Sequence, residues 1–316
     1  MLKRGAGVLI SLFVLLNAYA DEGRVQAQEQ AIAKAQSAVS ADNYRQQLGK
    51  TIVVEEEYFP QELDVYARFM PLAGAKSQSG KVGLVTAASE YNYKIKAFGK
   101  IPVEFGVATK YIGIDNTTAV SLPGRLTAFG LGLETTLPFF NFNKTYFTIG
   151  VAPSFFTDNW NFRSESFHLL QHYFMIYQPN EKLTLICGVD YAPGFKAPVS
   201  PIVGLIYRPN EKLTFNLIPA NPEISYDLND RWTVFAQGAY VGDEYKVTQN
   251  NLKNVVLNYN EMRAGTGIRY FLSKNMEGSL AVGSVFNRSI EYRQDSLGKV
   301  ALKAGFYSEF RVNISI

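Results

Sequence analysis

The C-terminal stretch of the chain, residues 302–316, reads LKAGFYSEFRVNISI. Its even positions are mainly apolar, among them Phe306 and Phe310, whereas its odd positions, such as Lys303 and Glu309, are mainly polar or charged. Alternation with a period of two places the two sets on opposite faces of a β-strand. Such a strand is much longer than the roughly five or six residues usual in a soluble sheet. It matches a tilted strand that crosses a membrane, so the sequence predicts an all-β, transmembrane antiparallel β-barrel.

The same alternation recurs in residues 101–113, 126–137 and 258–271. One face of each segment is mainly apolar, and the other carries small, polar or charged residues, as a barrel lumen would. Charged side chains that face the lumen avoid the penalty of about 2–4 kcal/mol that basic residues can meet at the lipid midplane. The candidate lumen-facing residues, including two from the C-terminal stretch, are Glu104, Lys110, Glu134, Glu261, Arg263, Arg269, Glu309 and Arg311. They could form a constriction that filters solutes by charge, or ion pairs that hold a narrow barrel closed.

Turn sequences separate the alternating segments. Residues 177–184 (YQPNEKLT) and 207–214 (YRPNEKLT) are nearly identical, and residues 226–233 (YDLNDRWT) are a looser copy. Because Pro, Asn and Asp favour turns, each copy predicts a hairpin. Short connections of this kind alternate with longer ones, as periplasmic turns alternate with outer loops in outer-membrane barrels. One of the longer loops is expected at 242–253.

The segments give a count of up to fourteen strands. Residues 213–218 and 223–228 are short for membrane crossings, however. We therefore predict about twelve strands, within a range of roughly 10 to 14.

The N-terminus has the pattern of a secretory signal peptide over residues 1–20. Lys3 and Arg4 precede an apolar run that is about half the length needed to span a bilayer, and the small residues of Ala-Tyr-Ala at 18–20 predict cleavage before Asp21. The following segment, residues 21–60, is rich in Ala and Gln and is predicted to be a partly helical or disordered periplasmic or barrel-mouth segment. The barrel is predicted to occupy residues 61–316.

Composition excludes several other classes. The single cysteine, Cys187, lies far from the signal, which argues against a lipoprotein and an intramolecular disulfide. Removing the signal lowers the formal charge from +3 to +1, so no electrostatic footprint for nucleic acid is present. No phosphate-binding loop, dinucleotide fingerprint or zinc spacing occurs, so no cofactor, metal site or catalytic residue is predicted.

The C-terminal part of the chain resembles an uncharacterised family of Gram-negative outer-membrane β-barrels, grouped as a domain of unknown function. The residues that carry the resemblance are 222–226 (PEISY), 229–235 (NDRWTVF), 245–247 (YKV), 259–261 (YNE), Arg263, Gly265, Gly267, Arg269, Tyr270, Phe286, Arg288, Glu291 and Tyr292. The resemblance implies a porin-like barrel in the outer membrane, and the family has no established activity to transfer.

The sequence leaves the role of the barrel undefined, and a narrow passive channel for small solutes is the leading hypothesis. The main alternative is an outer-membrane lipid hydrolase, because His168 and His172 share a strand face with Ser166. A structural or adhesive surface protein is a further alternative. The expected partners are outer-membrane lipids, periplasmic chaperones during export, and the barrel insertion machinery, which would bind the C-terminal strand.

Overall fold

The fold was analysed in a computed structural model. It describes residues 60–97, 101–138, 144–160, 162–180, 182–219, 221–249, 252–294 and 297–316. The predicted signal peptide and nearly all of the predicted segment 21–60 lie outside these residues.

The described residues form fifteen β-strands and one short 3-10 turn, Ser164–Ser166. The strands are β1 Gln61–Gly74, β2 Lys81–Ala97, β3 Ile101–Asn116, β4 Arg125–Pro138, β5 Thr145–Thr157, β6 Phe167–Asn180, β7 Leu183–Tyr191, β8 Val199–Tyr207, β9 Leu213–Asn216, β10 Glu223–Asn229, β11 Trp232–Gln249, β12 Leu252–Ser273, β13 Met276–Tyr292, β14 Lys299–Ala301 and β15 Gly305–Ser315.

The strands make one sheet that closes on itself. From β1 to β13, each strand pairs antiparallel with the next along the chain, and β15 pairs with both β13 and β1. Because β14 and β15 both pair with β13 and occupy one position in the wall, the described residues form a fourteen-stranded barrel. The predicted antiparallel barrel is confirmed. Fourteen lies at the upper end of the predicted range of 10 to 14 and above the central value of twelve, because the two doubtful segments form β9 and β10.

The repeated turns connect β6 to β7, β8 to β9 and β10 to β11, as predicted. In each turn, an Asn side-chain oxygen accepts hydrogen bonds from the backbone amides two and three residues later. These oxygens belong to Asn180, Asn210 and Asn229. An Asn side chain thereby satisfies the turn amides, which explains why the turn sequences share this residue.

Two sequence-based expectations are wrong. The loop expected at 242–253 is instead strand at every described residue of that range, since β11 continues to Gln249 and β12 begins at Leu252. The alternation of the C-terminal stretch also breaks at residues 302–304. Leu302 is fully buried inside the barrel, whereas Phe306, which is also even-numbered, is 74% exposed on the outer face. The break therefore places the even-numbered residues before it and after it on opposite faces.

The outer face of the barrel is apolar and aromatic. Val203, Val282, Leu280 and Phe310 are among the large apolar side chains that are at least half exposed. This surface has the character of a lipid-facing band, and it covers the outward positions of the alternating strands. Within the described residues, no helix is long and apolar enough to cross a membrane.

Candidate functional site

The outer half of the lumen, on the side of the longer loops, is an apolar core. Aromatic and aliphatic side chains from most of the wall meet there, and many of them are completely buried. Its members include Met70, Phe156, Leu170, Phe195 and Tyr245. Because these side chains fill the barrel from wall to wall, the lumen is closed at this level.

Below this core, a layer of three buried ion pairs and one buried carboxylate–histidine hydrogen bond, which we call the ion-pair layer, crosses the lumen at mid-height. Arg68 pairs with Glu309 at 2.5 Å, Lys110 with Asp243 at 2.8 Å, Glu134 with His172 at 2.9 Å, and Glu261 with Arg263 at 3.1 Å. All eight side chains are at most 7% exposed. The internal space between Arg68, Arg263 and Glu309 measures about 20 Å³, which is about the size needed for one water.

The eight predicted lumen-facing residues fall into two groups. Glu104, Lys110, Glu134, Glu261, Arg263 and Glu309 are buried at or near the ion-pair layer. Arg269 and Arg311 are about a quarter exposed, nearer the periplasmic mouth, where Arg269 contacts Glu223 at 3.2 Å and Arg311 contacts Asp64 at 3.9 Å. Whether any of them has a functional role stays a prediction.

Sequence reasoning missed Arg68 and Asp243, the partners of two predicted residues. Both lie on the inward-facing positions of β1 and β11, so extending the alternation to those strands would have placed them in the lumen. The pairing of Lys110 with Asp243 joins β3 to β11 across the barrel. This contact depends on how the barrel closes, and the alternation along a single strand gives no information about that closure.

The hydrogen-bonded wall is interrupted between β8 and β11. Strand β9 has only four residues and pairs with β8 at two positions, so it spans about 13 Å, which is less than the roughly 25 Å lipid-facing band. On the edge of β11 that faces β10, pairing between described strands stops at Gln237 and resumes only at Lys246, which bridges to Thr157 of β5. The outer parts of β8 and β11 therefore border a gap in the wall. Val199 and Val203 are exposed beside it.

The loop between β7 and β8, residues 192–198, fills this gap, and we call it the gap loop. Phe195 inserts from the gap loop into the apolar core, where its ring lies 5.6 Å from that of Phe156. The Lys196 amide donates to the carboxylate of Glu244 on β11, and Arg293 Nη2 donates to the Gly194 carbonyl at 3.5 Å. The gap loop is thus held by contacts with the side chains of Glu244 on β11 and of Arg293, directly after β13, and not by a β-ladder.

The sequence analysis gave no long connection at residues 192–198 or 217–222. The available signals were Pro193-Gly194 and Pro198, together with the two prolines at 219 and 222. Gly194 has a φ of 89°, a backbone conformation that favours glycine. Such residues mark turns, so their clustering would have indicated both connections.

The two histidines have different surroundings, and neither hydrogen-bonds a serine hydroxyl within the described residues. His172 Nε2 lies 2.9 Å from the Glu134 carboxylate, and His168 Nδ1 lies 3.1 Å from the Pro193 carbonyl oxygen. The Ser166 hydroxyl donates to the Arg163 carbonyl. The geometry therefore gives no support to the serine hydrolase alternative. The described residues contain no cluster of three or more His, Cys, Asp or Glu side chains that could hold a metal.

A closed antiparallel barrel with an apolar exterior and a charged interior is the architecture of outer-membrane β-barrel proteins. The chain belongs to the family described as a domain of unknown function, DUF6268, whose model matches residues 90–316. The family resemblance drawn from the sequence is confirmed.

Three solved structures illustrate the likeness to known barrels. A FadL homologue of Pseudomonas aeruginosa has 10% identity, with 81% of this chain and 90% of that chain covered and a TM-score of 0.43. The KdgM porin has 9% identity, coverage of 81% and 99%, and a TM-score of 0.33. The translocator domain of the autotransporter NalP from Neisseria meningitidis has 11% identity, coverage of 95% and 99%, and a TM-score of 0.37. No curated protein matches the chain.

Proposed function

We propose that the protein is a non-enzymatic channel of the Gram-negative outer membrane, closed at rest, that passes small apolar solutes sideways between its lumen and the membrane. The observation that carries this proposal is the gap between β8 and β11, which borders the apolar core and is filled by the gap loop. The proposal refines the sequence-based hypothesis of a narrow passive channel by adding a movable loop in the wall.

The two layers of the lumen determine the class of solute. A solute in the outer half contacts an apolar core, which favours apolar molecules. Movement towards the periplasm would take it through buried ion pairs, where an apolar molecule would separate charges without replacing their contacts. Movement through the gap displaces the gap loop from its contacts with Glu244 and Arg293 and then leads into the hydrocarbon layer. The sideways route is therefore the one that suits an apolar solute.

The proposed location rests on the apolar outer face, which needs lipid contact. Cleavage of the signal peptide, delivery by periplasmic chaperones and binding of the C-terminal strand by the insertion machinery stay predictions. A structural or adhesive role also stays a prediction, since the described loops offer no observation that favours it.

The proposal can be tested by locking the gap loop. In a Cys187→Ser background, the pair Lys196→Cys and Glu244→Cys places thiols on two neighbouring residues, which are now joined by a hydrogen bond from the Lys196 backbone amide to the Glu244 side chain. Intact Gram-negative cells that express the full chain would be exposed to N-phenyl-1-naphthylamine, which fluoresces when it enters the membrane. We expect oxidation of the pair to reduce dye uptake to the level of cells without the protein, and reduction to restore it.

A cross-strand pair in the continuous wall serves as the matched control. Ala67 and Ala87 face each other in the β1–β2 register, so Ala67→Cys with Ala87→Cys adds a disulfide away from the gap. This control should not change uptake on oxidation. If the gap pair, once shown to be cross-linked, takes up dye as fast as the reduced form, the lateral route is wrong.

A further inference from the structure

The ring of Phe195 occupies an aromatic site at the inner end of the gap. It packs edge-on against His168, with ring centroids 4.9 Å apart, and against Phe156 at 5.6 Å. Tyr245 adds a further ring beside Phe156 at 5.8 Å. Since Phe195 belongs to the gap loop, outward movement of the part of this loop that follows Pro193 would vacate a space the size of one phenyl side chain and leave the Pro193 carbonyl in contact with His168.

The imidazole of His168 supplies the polar feature of this site. A carbonyl oxygen can only accept a hydrogen bond, so the contact with the Pro193 carbonyl requires the proton on Nδ1. In the neutral ring, Nε2 is then an acceptor. This atom is buried and has no hydrogen-bond partner within the described residues. His168 as a whole is only 6% exposed. A buried acceptor without a partner is unfavourable, and a ligand that donates a hydrogen bond would satisfy it.

We infer that the space filled by Phe195 is the solute-binding site, and that it selects a single aromatic ring carrying one hydrogen-bond donor, such as a phenol, through His168 Nε2. This inference rests on the proposed function, because the solute would reach the site when the gap loop moves. The ring of the solute replaces the Phe195 ring against Phe156, and its hydroxyl donates to His168. A hydrocarbon of the same size fills the site but leaves the acceptor without a partner.

The inference predicts selectivity between two molecules that differ by one hydroxyl group. The probes are p-cresol and toluene, and their binding to the purified full chain in detergent is measured by ligand-observed NMR titration. We expect p-cresol to bind about tenfold more tightly than toluene after correction for partitioning into micelles, because one buried hydrogen bond distinguishes them. Phe195→Ala should tighten the binding of both probes, since the site no longer has to be vacated first.

Two substitutions of His168 separate the hydrogen bond from packing. In the Phe195→Ala background, His168→Phe keeps a flat ring without an acceptor and should remove the preference for p-cresol. His168→Gln keeps a polar group that can accept near the Nε2 position and should retain a preference of at least a few-fold. Equal binding of p-cresol and toluene to the Phe195→Ala variant would overturn the inference, as would a preference that survives in the His168→Phe variant.

The outcome is independent of the dye-uptake experiment. Uptake that is blocked by the locked gap loop, together with equal binding of the two probes, would leave the channel intact and refute only the role of His168. Uptake unaffected by the lock, together with selective binding of p-cresol, would refute the lateral route and leave a ligand site.

Discussion

The seam between the first and last wall positions depends on a buried ion pair. Arg68 on β1 lies directly opposite Glu309 on β15, and its Nε and Nη2 atoms lie 2.7 and 2.5 Å from Glu309 Oε2. The two side chains are 3% and 7% exposed. Solvent screening, which limits exposed pairs to about 1 kcal/mol or less, therefore has little effect here. Removing one partner from such a pair leaves a buried charge and costs about 3–5 kcal/mol.

We expect Glu309→Leu and Arg68→Met each to lower the free energy of unfolding by about 3 kcal/mol or more. That is roughly a hundredfold change or more in the folding equilibrium. The double variant should lie within about 1 kcal/mol of the wild type, because neither charge remains buried without its partner. Reversible folding from urea into phospholipid vesicles, followed by the combined fluorescence of Trp160 and Trp232, measures all four proteins.

The outcome also reports on the state of the lumen. If each single variant loses less than about 1 kcal/mol, the pair behaves like a solvated surface pair. Water would then fill the lumen at the level of the seam, and the closed layer described above would be wrong.

Three further substitutions test the wall, the lumen and the turns. Val282→Arg, at an exposed position near the middle of β13, should destabilise the barrel by about 2–4 kcal/mol in urea titrations. Its control, Leu252→Arg at the first residue of β12, should cost at most about 1 kcal/mol. Equal costs would contradict a lipid-facing band. In Gly150→Ala, the new Cβ would lie 2.0 Å from His172 Cε1, so we expect His172 to move away from the Glu134 carboxylate. The free energy of unfolding should fall by about 1–3 kcal/mol. An unchanged NMR signal of the His172 ring would refute this expectation. Asn210→Ala should cost about 1 kcal/mol by removing the acceptor for two turn amides, while replacement by Asp should cost less.

The fold could be predicted from the sequence to the extent that it depends on local chemistry. Alternation along β15 and the Asn-containing turns are local properties, and both lie where they were expected. The break at Leu302 was missed because most residues from 302 to 316 fit a single alternation in the sequence. Leu302 packs in the apolar core, so it points into the barrel while the later even-numbered residues point outwards, and this packing is not visible in the sequence.

The candidate site could be predicted only in part, because its contacts join distant parts of the wall. Alternation placed Lys110 on the inner face, but its contact with Asp243 depends on the diameter and shear of the closed barrel. The gap was missed because it arises where the short strand β9 lies in the wall between longer strands. The residues of β9 themselves do not show how far those other strands extend. Phe195 and His168 come together only because the gap loop turns inward.

The contacts of the gap loop determine how often it would be open. Two hydrogen bonds, from Arg293 to the Gly194 carbonyl and from the Lys196 amide to Glu244, contribute about 1 kcal/mol each, and burial of the Phe195 ring contributes about 2–3 kcal/mol. A closed state favoured by about 4–5 kcal/mol leaves roughly one molecule in one thousand to five thousand open at any moment. A membrane carrying many copies would then admit solute steadily, although almost every individual barrel is sealed at a given instant.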